Sequence, residues 1–195
     1  MKEGKIKKMR KTLVLTIMLI LSLCLVTACG KENDNSSNST NDKINFKDNS
    51  IYYAIVDGKK YTMDDTIQDI LDRGGYTISS QDNMNQMIDP TKKFDGTYLH
   101  KGEDTYFSVQ LGNRTNKSIS KKECKVFVIN LYSVWYKNVS IIGDLTIGSS
   151  KEEVKAVLGE DNYGFVSTYG DNKRGFEFEY DTEGLVKNIK VFRFD

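Results

Sequence analysis

The 195-residue chain has one proline, one histidine, one tryptophan and three cysteines, and its 28 basic against 27 acidic side chains leave a formal charge of only +1. Each scarcity excludes something. With one His, the usual zinc sets of clustered His and Cys cannot be assembled, and a Cys/His or Ser-His-Asp constellation has His100 alone to draw on. No serine sits in a Gly-x-Ser-x-Gly elbow. Gly143 and Gly148 have phosphate-loop spacing, but Ser149 stands where the lysine is needed. Asp57, Asp64, Asp65, Asp69 and Asp72 are numerous yet lack the alternation of a calcium loop, and they read as a capped helix with a solvated acidic face. No metal or other cofactor is expected. A near-neutral chain has no strongly basic field, so a nucleic-acid partner is disfavoured.

What is present begins at the N-terminus. Lys2, Lys5, Lys7, Lys8, Arg10 and Lys11 precede an apolar run from Leu13 to Val26, which ends in Val26-Thr27-Ala28-Cys29. A run of 14 residues is short of the roughly 20 that span a bilayer. The segment resembles a bacterial lipoprotein signal: a positive start, a short apolar stretch, small residues and a cysteine. The resemblance implies cleavage after residue 28 and a thioether on Cys29 carrying two acyl chains. Two chains hold a protein on a membrane where one does so marginally. The expected location is therefore the extracytoplasmic side of a cell membrane, with membrane lipid engaged through Cys29. Without residues 1–28, the remaining 167 carry 22 basic and 26 acidic side chains, a charge of −4. Cys24 departs and Cys29 is lipidated, so Cys124 is a lone thiol at the edge of an apolar run, expected to be buried rather than reactive.

Residues 29–50 are rich in Asn, Ser, Asp and Lys, with Ile44 and Phe46 as their large apolar residues, and read as a disordered tether. Beyond them the fold class is α+β. A hairpin turns at Asp57-Gly58. A helix follows, with Asp64 or Asp65 as cap, Ile67, Ile70 and Leu71 on one face and Gly74-Gly75 as the stop. Residues 79–95 read as a loop, and extended stretches are expected at 97–101, 105–111 and 125–135. A second helix is capped by Ser149 with Glu152 or Ser150 with Glu153, buries Val154, Val157 and Leu158, and stops at Gly159. Strands at 164–169, 175–180 and 185–194 complete the chain; Phe176, Phe178 and Tyr180 alternate with Glu177 and Glu179, giving one dry and one wet face.

The two helices align at an offset of 87, Ile67 with Val154, Ile70 with Val157 and Leu71 with Leu158. The expectation is two similar units, 51–140 and 141–195, each a short helix on a small antiparallel sheet. The stretch from Leu145 through Ile147-Gly148-Ser149 to Val154 and Leu158-Gly159 resembles the opening helix of the SmpA/OmlA and beta-lactamase-inhibitory-protein-like superfamily. That resemblance implies a non-enzymatic fold presenting a sheet surface to protein partners. Tyr132, Trp135, Tyr136, Tyr163, Phe165 and Tyr169 are the candidate contacts, because aromatic side chains bring large area at modest entropy cost. The alternative is a small-ligand protein or hydrolase centred on His100.

Overall fold

The computed structural model describes residues 44–135, 138–161 and 166–195. Among these described residues the fold is α+β, with two α-helices and mostly antiparallel sheets. The elements are β1 (Tyr53–Val56), β2 (Lys59–Thr62), α1 (Ile67–Gly74), β3 (Met87–Ile88), β4 (Lys93–Lys101), β5 (Asp104–Gly112), β6 (Ile119–Ser120), β7 (Lys125–Tyr132), β8 (Val139–Ser140), α2 (Lys151–Leu158), β9 (Ser167–Gly170), β10 (Arg174–Tyr180) and β11 (Val186–Arg193). Residues 42–195 form one compact unit.

Six strands make the main sheet, in the order β4-β5-β7-β11-β10-β9, every neighbouring pair antiparallel. Two separate small sheets were expected. Instead β7 pairs with β11 over Asn188↔Tyr132 to Phe192↔Val128 and joins the strands of both halves. The hairpin forms as the turn chemistry dictates: Asp57 and Gly58 both take positive φ, 52° and 72°, and set Val56 opposite Lys59. Its strand β1 also pairs with β8.

One face of the main sheet is the core. Leu99, Phe107, Val109, Leu111, Ile129, Leu131, Phe176, Phe178, Ile189 and Val191 are buried there in one cluster with Ile67 and Ile70 of α1 and Val154 and Leu158 of α2. Alternation along β5 and β10 was legible because one face is dry and the strand period is two. The folded part starts earlier than expected. Ile44 and Phe46 pack on the core, Asp48 caps a short turn at Asn49–Ile51, and Tyr52 donates to the Phe46 carbonyl at 2.6 Å. The ordered chain thus reaches back into the stretch read as tether. The 79–95 loop likewise contains β3 and the start of β4.

Both helices carry reciprocal caps. In α2 the box is Ser150 with Glu153. In α1 neither Asp64 nor Asp65 is the cap; Thr66 is, its hydroxyl accepting from the Asp69 N–H at 3.1 Å while the Asp69 carboxylate accepts from the Thr66 N–H at 2.8 Å. Those hydrogen bonds hold the Asp69 carboxyl below its ordinary range. A depressed carboxyl stabilises the folded state above its unfolded pKa of about 4, and that contribution is lost as pH falls through the lower folded value. Thr66→Ala should cost about 1 kcal/mol in urea unfolding at neutral pH, and less below pH ~3.

Candidate functional site

The face of the main sheet opposite the core carries a row of polar side chains in register across all six strands. Tyr98 faces Ser108, Ser108 faces Asn130, Asn130 faces Lys190, Lys190 faces Glu177 and Glu177 faces Thr168. Cross-strand neighbours on one face are about 5 Å apart and interact directly. Asn130 Nδ2 donates to Ser108 Oγ at 3.1 Å, and the Lys190 ammonium reaches both Glu177 oxygens at 3.1 Å. Each ionic partner is about one-third exposed. Such a pair contributes at most about 1 kcal/mol, so it orders the surface more than it stabilises the fold.

Aromatic side chains flank the row on both sides. On one side the Trp135 ring lies edge-on to Tyr132 at 4.5 Å and to Tyr98 at 5.4 Å, with Tyr98 and the adjoining Val134 exposed. Burial, with the nearby Glu179 and Tyr98, pushes the Tyr132 phenol above its ordinary pKa. On the other side Phe127, Val128, Phe192 and Phe194 form a second hydrophobic cluster, separate from the main core. Two depressions open between these groups. One, of about 90 Å³, lies among Asn130, Tyr132, Glu177, Glu179, Asn188 and Lys190. The second, of about 480 Å³, lies among Thr168, Asp171, Asn172, Glu177, Phe192 and Phe194. Glu177 borders both.

Of the aromatic candidates, Tyr132 and Trp135 come together on this face, half-buried. Tyr169 does not. It is 1% exposed, on the core side of β9 and edge-on to Phe178, so its removal from the candidate contacts is a correction. Its strand position set its direction, since it pairs with core-facing Phe176. Cys29, Tyr136, Tyr163 and Phe165 lie outside the described residues.

His100 lies on β4, where its main chain exchanges two 2.8 Å hydrogen bonds with Thr77. Its Nδ1 is 3.1 Å from Thr105 Oγ1; no hydrogen bond from the ring to a carboxylate occurs among the described residues. The Cys124 thiol is buried, donates to the Ser120 carbonyl at 3.8 Å and is shifted upward by desolvation, which makes it a poor nucleophile at neutral pH. Among the described residues no group of three or more His, Cys, Asp or Glu could hold a metal ion, and no helix is long and apolar enough to cross a membrane.

Residues missed in the sequence are the polar ones, Ser108, Asn130, Asn188 and Lys190. A strand pattern says that a residue points outward, whereas their alignment depends on pairing between distant strands. Comparison of the chain with protein-family models, curated proteins and solved structures gives no match.

Proposed function

We propose that the chain is a membrane-anchored extracytoplasmic lipoprotein that works without catalysis, holding a protein partner on the open face of its six-stranded sheet. The observation that carries this reading is the pairing of an aromatic cluster, Tyr98, Tyr132 and Trp135, with an ordered polar row beside it. Interfaces favour that combination: aromatic anchors supply most of the energy, and satisfied polar groups fix orientation. The anchor at Cys29 belongs to the same proposal and is supported by the sequence of residues 2–29.

The finer domain plan is part of the proposal too. The chain runs through α1 and then β4, β5 and β7, and later through α2 and then β9, β10 and β11, with β7 against β11 at the centre. That succession supports two related α+β units, 51–140 and 141–195, although they share one sheet and one core. It also agrees with the resemblance of the second unit to the beta-lactamase-inhibitory-protein-like superfamily.

Trp135→Ala tests the site. In a pull-down from envelope extracts with residues 42–195 as bait, the partner captured by the unaltered protein should be held at least about 30-fold more weakly, the effect of an interface anchor worth 2 kcal/mol or more. Capture of the same partner with unchanged affinity would remove Trp135 from the site, and capture of none would oppose the reading itself.

A further inference from the structure

At one end of the main sheet basic side chains accumulate beyond what the local carboxylates match. Arg174 and Arg193 are cross-strand neighbours on β10 and β11, an arrangement that repels unless compensated. Each has a partner, Asp195 for Arg174 and Asp64 for Arg193. Compensation goes little further. Arg114 gives its Nη2 to the main-chain carbonyls of Val126 and Arg193 at 3.1 and 2.9 Å, stacks 4.3 Å from the Phe127 ring, and makes no salt bridge among the described residues. Among the described residues its buried Nε has no hydrogen-bond partner, nor does that of Arg193. Desolvation, and then the adjacent Arg193 charge, bring the Arg114 pKa down to about 10. Lys125 donates to the Asp64 main-chain carbonyl rather than to a carboxylate. The Lys93 ammonium sits 4.5 Å from the Phe194 ring and 5.1 Å from Phe127. Lys173 is exposed in the β9–β10 turn, where Asp171 accepts from main-chain N–H groups.

Six basic side chains thus stand with four carboxylates, Asp64, Asp69, Asp171 and Asp195, in a chain whose balance beyond residue 28 is acidic. They spread from β4 to β10, four interstrand spacings or about 19 Å, wider than one phosphate or carboxylate could engage. Aromatic rings lie between the cations, and Phe194 is only partly buried. The chain also enters the fold here: Asn49 Oδ1 accepts from Arg174 Nη1 at 3.0 Å.

We propose that this end of the sheet docks on an anionic phospholipid surface, with the exposed Lys93 and Lys173 among the headgroup phosphates, the partly buried Arg114, Lys125 and Arg174 adding positive charge behind them, and Phe194 at the interface. Basic side chains near such a surface add to binding one by one, and aromatic rings favour the headgroup level. The breadth of the cluster and the entry of the chain at the same end favour a membrane over a compact soluble anion. This goes beyond the partner-binding reading and does not depend on acylation of Cys29.

The test uses residues 42–195, a compact unit with its own core, so that failure of the lipid anchor cannot be mistaken for failure of the cluster. Sedimentation with phosphatidylcholine vesicles containing about one-third phosphatidylglycerol should show binding that salt weakens, and vesicles of phosphatidylcholine alone should show far less. Lys93→Ala with Lys173→Ala should lower the partition coefficient about 30-fold, roughly 5-fold for each charge. Lys151→Ala with Lys187→Ala makes the same net-charge change outside the cluster and should leave binding within about 2-fold. No binding to the anionic vesicles, equal binding to both compositions, or equal loss in the two double variants would overturn the proposal. So would binding to soluble polyphosphate without binding to vesicles, which would assign the cluster to a phosphate polymer.

Discussion

Phe176→Ala should destabilise the domain by about 3–5 kcal/mol, measured by urea unfolding of residues 42–195. Phe176 is fully buried on the core face of β10, between Tyr169 of β9 and Val191 of β11. Its ring stacks on Tyr52 at 5.4 Å and meets Phe46 at 6.5 Å. Truncation would therefore open a cavity at the contact that ties the N-terminal segment to the sheet, and the loss exceeds transfer alone because close-packed neighbours refill such a space only in part. The same packing predicts that Phe46→Ala destabilises measurably, by about 1–3 kcal/mol, the range for a part-buried aromatic. If Phe46→Ala were neutral, that segment would belong to the tether after all.

Cys29→Ser should abolish palmitate labelling of the full chain in the cell. Serine has no thiolate to alkylate, so the proposed thioether could not form, and loss of its two acyl chains would remove about 0.8 kcal/mol for every buried methylene. Cleavage after residue 28 would fail with it, leaving the signal attached. A Cys29→Ser chain that still labels and partitions with membrane lipid would overturn the anchor.

The parts of the fold legible in the sequence are those set by neighbours along the chain. The Asp57-Gly58 hairpin, the buried stripes of α1 and α2, the Ser150–Glu153 box and the alternation in β10 are all local. The α1 cap was missed because Asp64, Asp65 and Thr66 are all competent caps, and tertiary partners decide among them: Asp64 reaches Arg193 and Asp65 reaches Arg73. The union of the strands into one sheet was missed for a related reason. Whether β7 pairs with β11 depends on residues about 60 apart in the chain, and no local period reports it. Ile44 and Phe46 looked too few to order their segment, yet Tyr52 and Phe176 provide a surface on which Phe46 packs. For the site, Tyr132 and Trp135 were legible through their aromaticity; the same criterion also picked out Tyr169, which is buried, and the meeting of Asn130, Lys190 and Glu177 in one row has no local signal.

The central claim is that the open face of the sheet holds the partner, and site-specific photo-cross-linking in intact cells tests it most directly. A photoreactive residue would replace Glu179 or Asn188 on the open face, and Gln68 or Glu152 on the exposed sides of α1 and α2, in the full chain. The account predicts one discrete protein adduct from the open-face positions and none from the helices. Adducts from the helix positions alone, or no adduct from either open-face position, would contradict it.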